Sequence, residues 1–159
     1  MQTSAKDTIQ NIAIAGLVGQ FAFEAYAWLL SPALFGPALQ PSNLVMAIAA
    51  KLTGAQIPYG AAFVLHFLIG SFGFAALVWL LKRVTGWSYI LAGGVTGFAL
   101  WFVAQGVLAP FIGRSFMMGF GSYTQSSFVS HVGMTLVMGA VLRTLENRQG
   151  SADQVSQLG

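Results

Sequence analysis

Three ionisable side chains, Glu24, His66 and His131, stand inside long apolar stretches of this sequence, where such groups are costly and are usually retained for a purpose. Counting from the prolines and polar residues at the ends of those stretches puts them in one layer. His66 lies eight residues past Pro58 and Glu24 eight before Pro32, about 12 Å each, and His131 lies seven past Thr124, about 10 Å. Gln20, one turn deeper, and Gln105, slightly nearer the surface, extend the layer. A carboxylate turned toward lipid costs at least about 2.5 kcal/mol, so these groups are expected to face one another inside a bundle. Glutamate accepting from an imidazole N–H would fix the ring tautomer.

This set of residues supports four kinds of chemistry. Ala62, His66, Gly70 and Gly73 share one helical face, and Ser127, His131 and Thr135 share another. Facing histidines with Gly70 leaving room beside them could hold a b-type haem or another tetrapyrrole, with His66 and His131 as axial ligands and Glu24 behind them. The same His66, His131 and Glu24 could instead form a two-histidine, one-carboxylate metal site. Glu24 could relay a proton or substrate. A polar network including Gln20, Gln105, Ser127 and Thr135 could simply bind four helices together. The cofactor stays unknown, no catalytic residue is assigned, and a non-enzyme is the favoured class. Gly93-x-x-x-Gly97 has the plainer role of close helix approach.

The elements that carry these residues follow from composition. The chain has 159 residues, of which 56% are hydrophobic and only 7% charged. Soluble domains carry roughly 25% charged residues, so a soluble enzyme, a nucleic-acid reader and a disordered chain are all excluded. There are no cysteines, hence no disulfide framework, thiolate metal site or covalently attached haem. The net charge of +3 fits basic cytoplasmic loops better than a nucleic-acid partner.

Four stretches reach the roughly 20 apolar residues a span needs: 9–30, 58–81, 89–108 and 124–145. The expected fold is an all-α, integral membrane four-helix bundle occupying residues 1–146, followed by a polar, disordered tail over 147–159. Ala25-Tyr26-Ala27 resembles a signal-peptide cleavage site, but Gln20 and Glu24 argue for a true span. In the long outer connection, Ser42 is expected to cap a helix over 43–52 that Gly54 ends, lying flat at the interface on Leu44, Val45, Ile48 and Leu52. The second outer loop, with Met117-Met118-Gly119-Phe120-Gly121, is apolar enough to sink into the headgroups. Lys6, Lys82, Arg83, Arg143 and Arg148 fall on one side and Lys51 and Arg114 on the other, which predicts both termini in the cytoplasm.

The halves also read as copies. Ala15-Gly16-Leu17-Val18 aligns with Ala92-Gly93-Gly94-Val95, and Phe21 and Gly36 align with Phe98 and Gly113, all at an offset of 77. Phe63-Val64-Leu65-His66 aligns with Phe128-Val129-Ser130-His131 at an offset of 65. A parallel duplication of an αα-hairpin would make the two histidines equivalent. Trp101 replaces Glu24 in the second copy, so any site would be lopsided.

With Ala15-Gly16-Leu17-Val18, His66-Phe67-Leu68-Ile69-Gly70 and His131 in view, the chain resembles small four-helix bacterial inner-membrane proteins grouped as domains of unknown function. That resemblance, over about residues 12–145, implies a bacterial inner membrane and no established activity. The expected role is a cofactor-holding or accessory subunit of a membrane redox complex. A small proton-coupled transporter using Glu24 and a purely structural subunit are the alternatives. The expected partners are the lipid bilayer, other membrane proteins or further copies of the chain, and no nucleic acid.

Overall fold

The computed structural model describes residues 4–36 and 38–158, with side chains through Ser151. Four helices are long and apolar enough to cross a membrane: α1 (Ala5–Phe35), α3 (Tyr59–Thr85), α4 (Tyr89–Phe111) and α5 (Ser122–Leu158). A short helix, α2 (Ser42–Thr53), lies between the first two. The polar caps are in place where they matter: Ser4 accepts from the Asp7 amide and Ser88 from the Leu91 amide. Gly54 and Gly86 end α2 and α3 in the left-handed conformation.

Two helices run past the prolines expected to stop them. α1 continues through Pro32 to Phe35, and α4 through Pro110 to Phe111. In each, a π-helical stretch precedes the proline, Tyr26–Leu30 in α1 and Val103–Leu108 in α4. A proline normally clashes with the carbonyl four residues back and lacks the N–H to bond it. Widening the preceding turn removes that conflict, so the helix survives. The π stretches of α1 and α4 begin 77 residues apart, and Gly36 and Gly113 end those helices beyond at φ of 89° and 88°; a third π stretch, Ile69–Gly73 in α3, precedes no proline and has no counterpart in α5.

Three further differences from expectation have local causes. Ser42 does not cap α2; it is the helix's first residue, with its Oγ buried and unpaired behind Pro41. Helix α5 extends over 147–158, the stretch expected to be disordered, and Gly159 lies outside the described residues. Asn11 and Gln149 exchange amide hydrogen bonds at 3.0 and 3.3 Å, which ties the first turn of that extension to α1. Between α4 and α5 the apolar loop winds left-handed, with Met117, Met118, Gly119 and Phe120 all at positive φ. The Thr124 hydroxyl holds it by donating to the Met117 carbonyl at 2.6 Å.

The core is built by close approach of α5 to both α1 and α4. Met134 and Met138 pack with Phe23 and Ala27 from α1, and Leu142 packs with Ala15, Tyr89 and Ala92. Gly93 and Gly97 serve contact, as their spacing predicts: a β-carbon at Gly97 would lie 2.7 Å from the His131 carbonyl oxygen. The outer surface is apolar nearly throughout, with Phe21, Leu29, Leu34 and Val84 all more than three-fifths exposed.

Candidate functional site

The upper part of α3 packs on α2 and makes only sparse contact with α4. The gap this leaves is a cavity of about 290 Å³. Leu100, Val103, Ala104 and Leu108 of α4 form one wall, and His66, Ile69 and Phe74 of α3 the other. Phe23 of α1 reaches in from behind. Leu44, Val45 and Ile48 of α2 close the top, so the face expected to rest on the headgroups lines this cavity, while Leu52 is 67% exposed. Lys51, over the Phe111 ring at 5.1 Å, fastens α2 to the end of α4.

The cavity's polar atoms come mainly from α5. Ser127, Ser130 and His131 are buried and line it together with Gln105. The His131 Nδ1 lies 2.8 Å from the Ser127 carbonyl oxygen, which can only accept, so Nδ1 carries the proton and Nε2 presents a lone pair. Ser130 donates to the same carbonyl at 2.8 Å, and Gln105 Nε2 donates to the Ser127 hydroxyl at 3.2 Å. His66 Nδ1 and Gln105 Oε1 are buried with no partner among the described residues. Phe23 packs against both imidazoles, 5.6 Å from His66 and 6.5 Å from His131 between ring centres, and Phe74 lies 6.1 Å from His131.

The structure thus brings His66, His131, Gln105 and Ser127 to one cavity. Glu24 is not with them. Its two oxygens accept from Gln20 Nε2 at 2.9 Å and Trp28 Nε1 at 3.0 Å, one turn to either side on α1. Among the described residues no three acidic or imidazole groups converge to hold a metal ion. Thr135 is turned elsewhere as well: its hydroxyl bonds the His131 carbonyl at 2.8 Å within α5, at the notch formed by Gly97. Trp101, which the offset of 77 aligns with Glu24, donates to the Thr124 carbonyl at 3.1 Å and joins α4 to α5.

The space beside the histidines does not suit a tetrapyrrole. The notch at Gly70 is filled by the Gln20 amide, and a β-carbon there would collide with Gln20 Oε1. Pockets for drug-sized ligands run upward from roughly 300 Å³, and a macrocycle with its substituents is larger than most such ligands.

Sequence reasoning missed Ser130, Phe23, Tyr123 and Arg114 as lining residues. Ser130 was findable, since it sits three residues from Ser127 and beside His131. Arg114, a lone cation in an apolar loop, carried a signal too; among the described residues it has no carboxylate partner. No family model, curated protein or solved structure matches the chain.

Proposed function

We propose that this chain is a small integral membrane protein that takes a compact apolar molecule from the bilayer and holds it between His66 and His131. The membrane setting is supported by the four long apolar helices and by the exposed apolar surface, far beyond the patches tolerated on soluble monomers. The chief support for binding is the cavity itself, whose walls are hydrocarbon and whose inner end carries buried polar atoms without partners. Pockets of that make-up are the usual form of small-molecule sites. Access is sideways: Ile69 and Val103 flank the gap between α3 and α4 and are also exposed on the bundle's outer face.

The role as an accessory or cofactor-holding subunit of a bacterial inner-membrane redox complex belongs to this reading in a narrowed form. The molecule held would be a lipid-soluble one of modest size rather than a b-type haem. Transport by way of Glu24 gains no support, because that carboxylate lies outside the cavity. A duplicated αα-hairpin is supported by the π stretches of α1 and α4 and by Gly36 and Gly113 at positive φ, which recur at the offset of 77, while the π stretch of α3 is not repeated in α5.

Titrating the purified protein in lipid nanodiscs with hexylbenzene tests the binding role. Saturable one-to-one binding above the partitioning seen with empty discs is expected, and Ala104→Phe should abolish it by filling the space. Only linear partitioning, equal for both proteins, would refute the proposal.

A further inference from the structure

The cavity's inner end has a polarity of its own, and resting on the binding role just proposed, we infer that its ligand carries a hydroxyl group that donates to His131 Nε2. The carbonyl of Ser127 can only accept, so at 2.8 Å it commits the neutral imidazole to a proton on Nδ1. The other ring nitrogen is then an acceptor. No hydrogen bond to it is found among the described residues, and it belongs to a ring that lines the cavity. His131 itself is 8% exposed, which fixes the ring and its lone pair in place.

The neighbours reinforce this bias. The Ser130 hydroxyl is committed to the Ser127 carbonyl, and one N–H of the Gln105 amide to the Ser127 hydroxyl. The Gln105 oxygen is left without a partner among the described residues, a second buried acceptor. Placed against His131 Nε2 and Gln105 Oε1, a ligand presenting only a carbonyl or ether oxygen would meet acceptors with an acceptor, so the preference for O–H belongs to this pair and not to the Arg114 and Tyr123 donors that also line the cavity. An O–H group on an apolar body would match His131 Nε2, and a buried acceptor left unmatched is costly. The ligand class is therefore a phenol, a hydroquinone or a small apolar alcohol, and a hydroxylated ring is preferred over its oxidised diketone form.

A matched pair of probes tests this directly: 4-pentylphenol and 4-pentylanisole share an apolar body and differ in the O–H. Each is titrated into the full-length protein in nanodiscs, with empty discs as the blank and the imidazole ¹⁵N resonances followed. The expected result is about tenfold tighter binding of the phenol, with the His131 Nε2 resonance moving as it accepts the hydrogen bond. His131→Phe should level the two affinities, and since the pair is compared first in the unaltered protein, the outcome does not depend on that variant folding. Equal affinities, or preference for the ether, would overturn the hydroxyl assignment while leaving the cavity's binding role intact. Saturable binding of neither probe would overturn both.

Discussion

Gln20 on α1 occupies the notch left by Gly70 on α3, its Oε1 so close to the glycine that a β-carbon could not be added without displacing it. A glycine one turn from a histidine therefore admits a neighbouring amide and not a ligand. Gly70→Ala should destabilise the bundle by about 1–3 kcal/mol, the range for overpacking a close-packed interior. Gln20→Ala combined with it should recover most of that loss, because the clash lies with one flexible side chain. Thermal unfolding of the single and double variants measures it. Additive effects would mean the two residues do not share the space.

Much of the architecture was legible in the sequence, because long apolar runs interrupted by Pro, Gly and basic residues have few other meanings. Helix ends were less so. Pro32 and Pro110 read as stops, yet each helix passes its proline through a widened turn, a backbone adjustment that no residue type advertises. The site was half legible. Depth along a helix can be counted from its ends, and it brought His66, His131 and Gln105 to one level. Rotation about the helix axis cannot be counted so well across a π turn, and Glu24 proved to bond along its own helix. The lid over the cavity was visible as an amphipathic helix, but not what its apolar face would cover.

Glu24 supplies the sharpest functional contrast. With both oxygens bound by Gln20 and Trp28 on α1, it should contribute nothing to ligand affinity. Glu24→Gln is expected to keep 4-pentylphenol binding within about twofold of the unaltered protein, and to cost about 1–3 kcal/mol of stability, because its amide N–H₂ can no longer accept from one of the two N–H donors. Loss of binding in a variant that remains folded would place the carboxylate in the site and revive proton-coupled transport.

The extension of α5 beyond Glu146 rests on few contacts, chiefly the Asn11–Gln149 amide pair. Asn11→Ala removes both hydrogen bonds, worth about 1 kcal/mol each. Amide exchange over residues 147–151 should then accelerate about fivefold to thirtyfold, while exchange in the centre of α5 stays unchanged. Equal exchange in the two proteins would show that the extension holds itself without α1.

The basic residues predict an orientation that a chain without cysteines makes easy to measure. Lys82 and Arg83 close α3, and Arg143 and Arg148 lie toward the same end of α5, whereas Lys51 and Arg114 belong to the opposite end near α2 and the left-handed loop. Cytoplasmic loops retain Lys and Arg, so the first group should face inward. Thr85 and Ser115 are both exposed and lie at opposite ends of the helix bundle. A membrane-impermeant thiol reagent added to intact cells should label Ser115→Cys and leave Thr85→Cys unlabelled until the membrane is permeabilised. The reverse pattern would turn the bundle over and put the lid and cavity at the cytoplasmic face. Labelling of both sites in intact cells would mean a mixed orientation, the outcome that a moderate bias of five basic residues against two argues against.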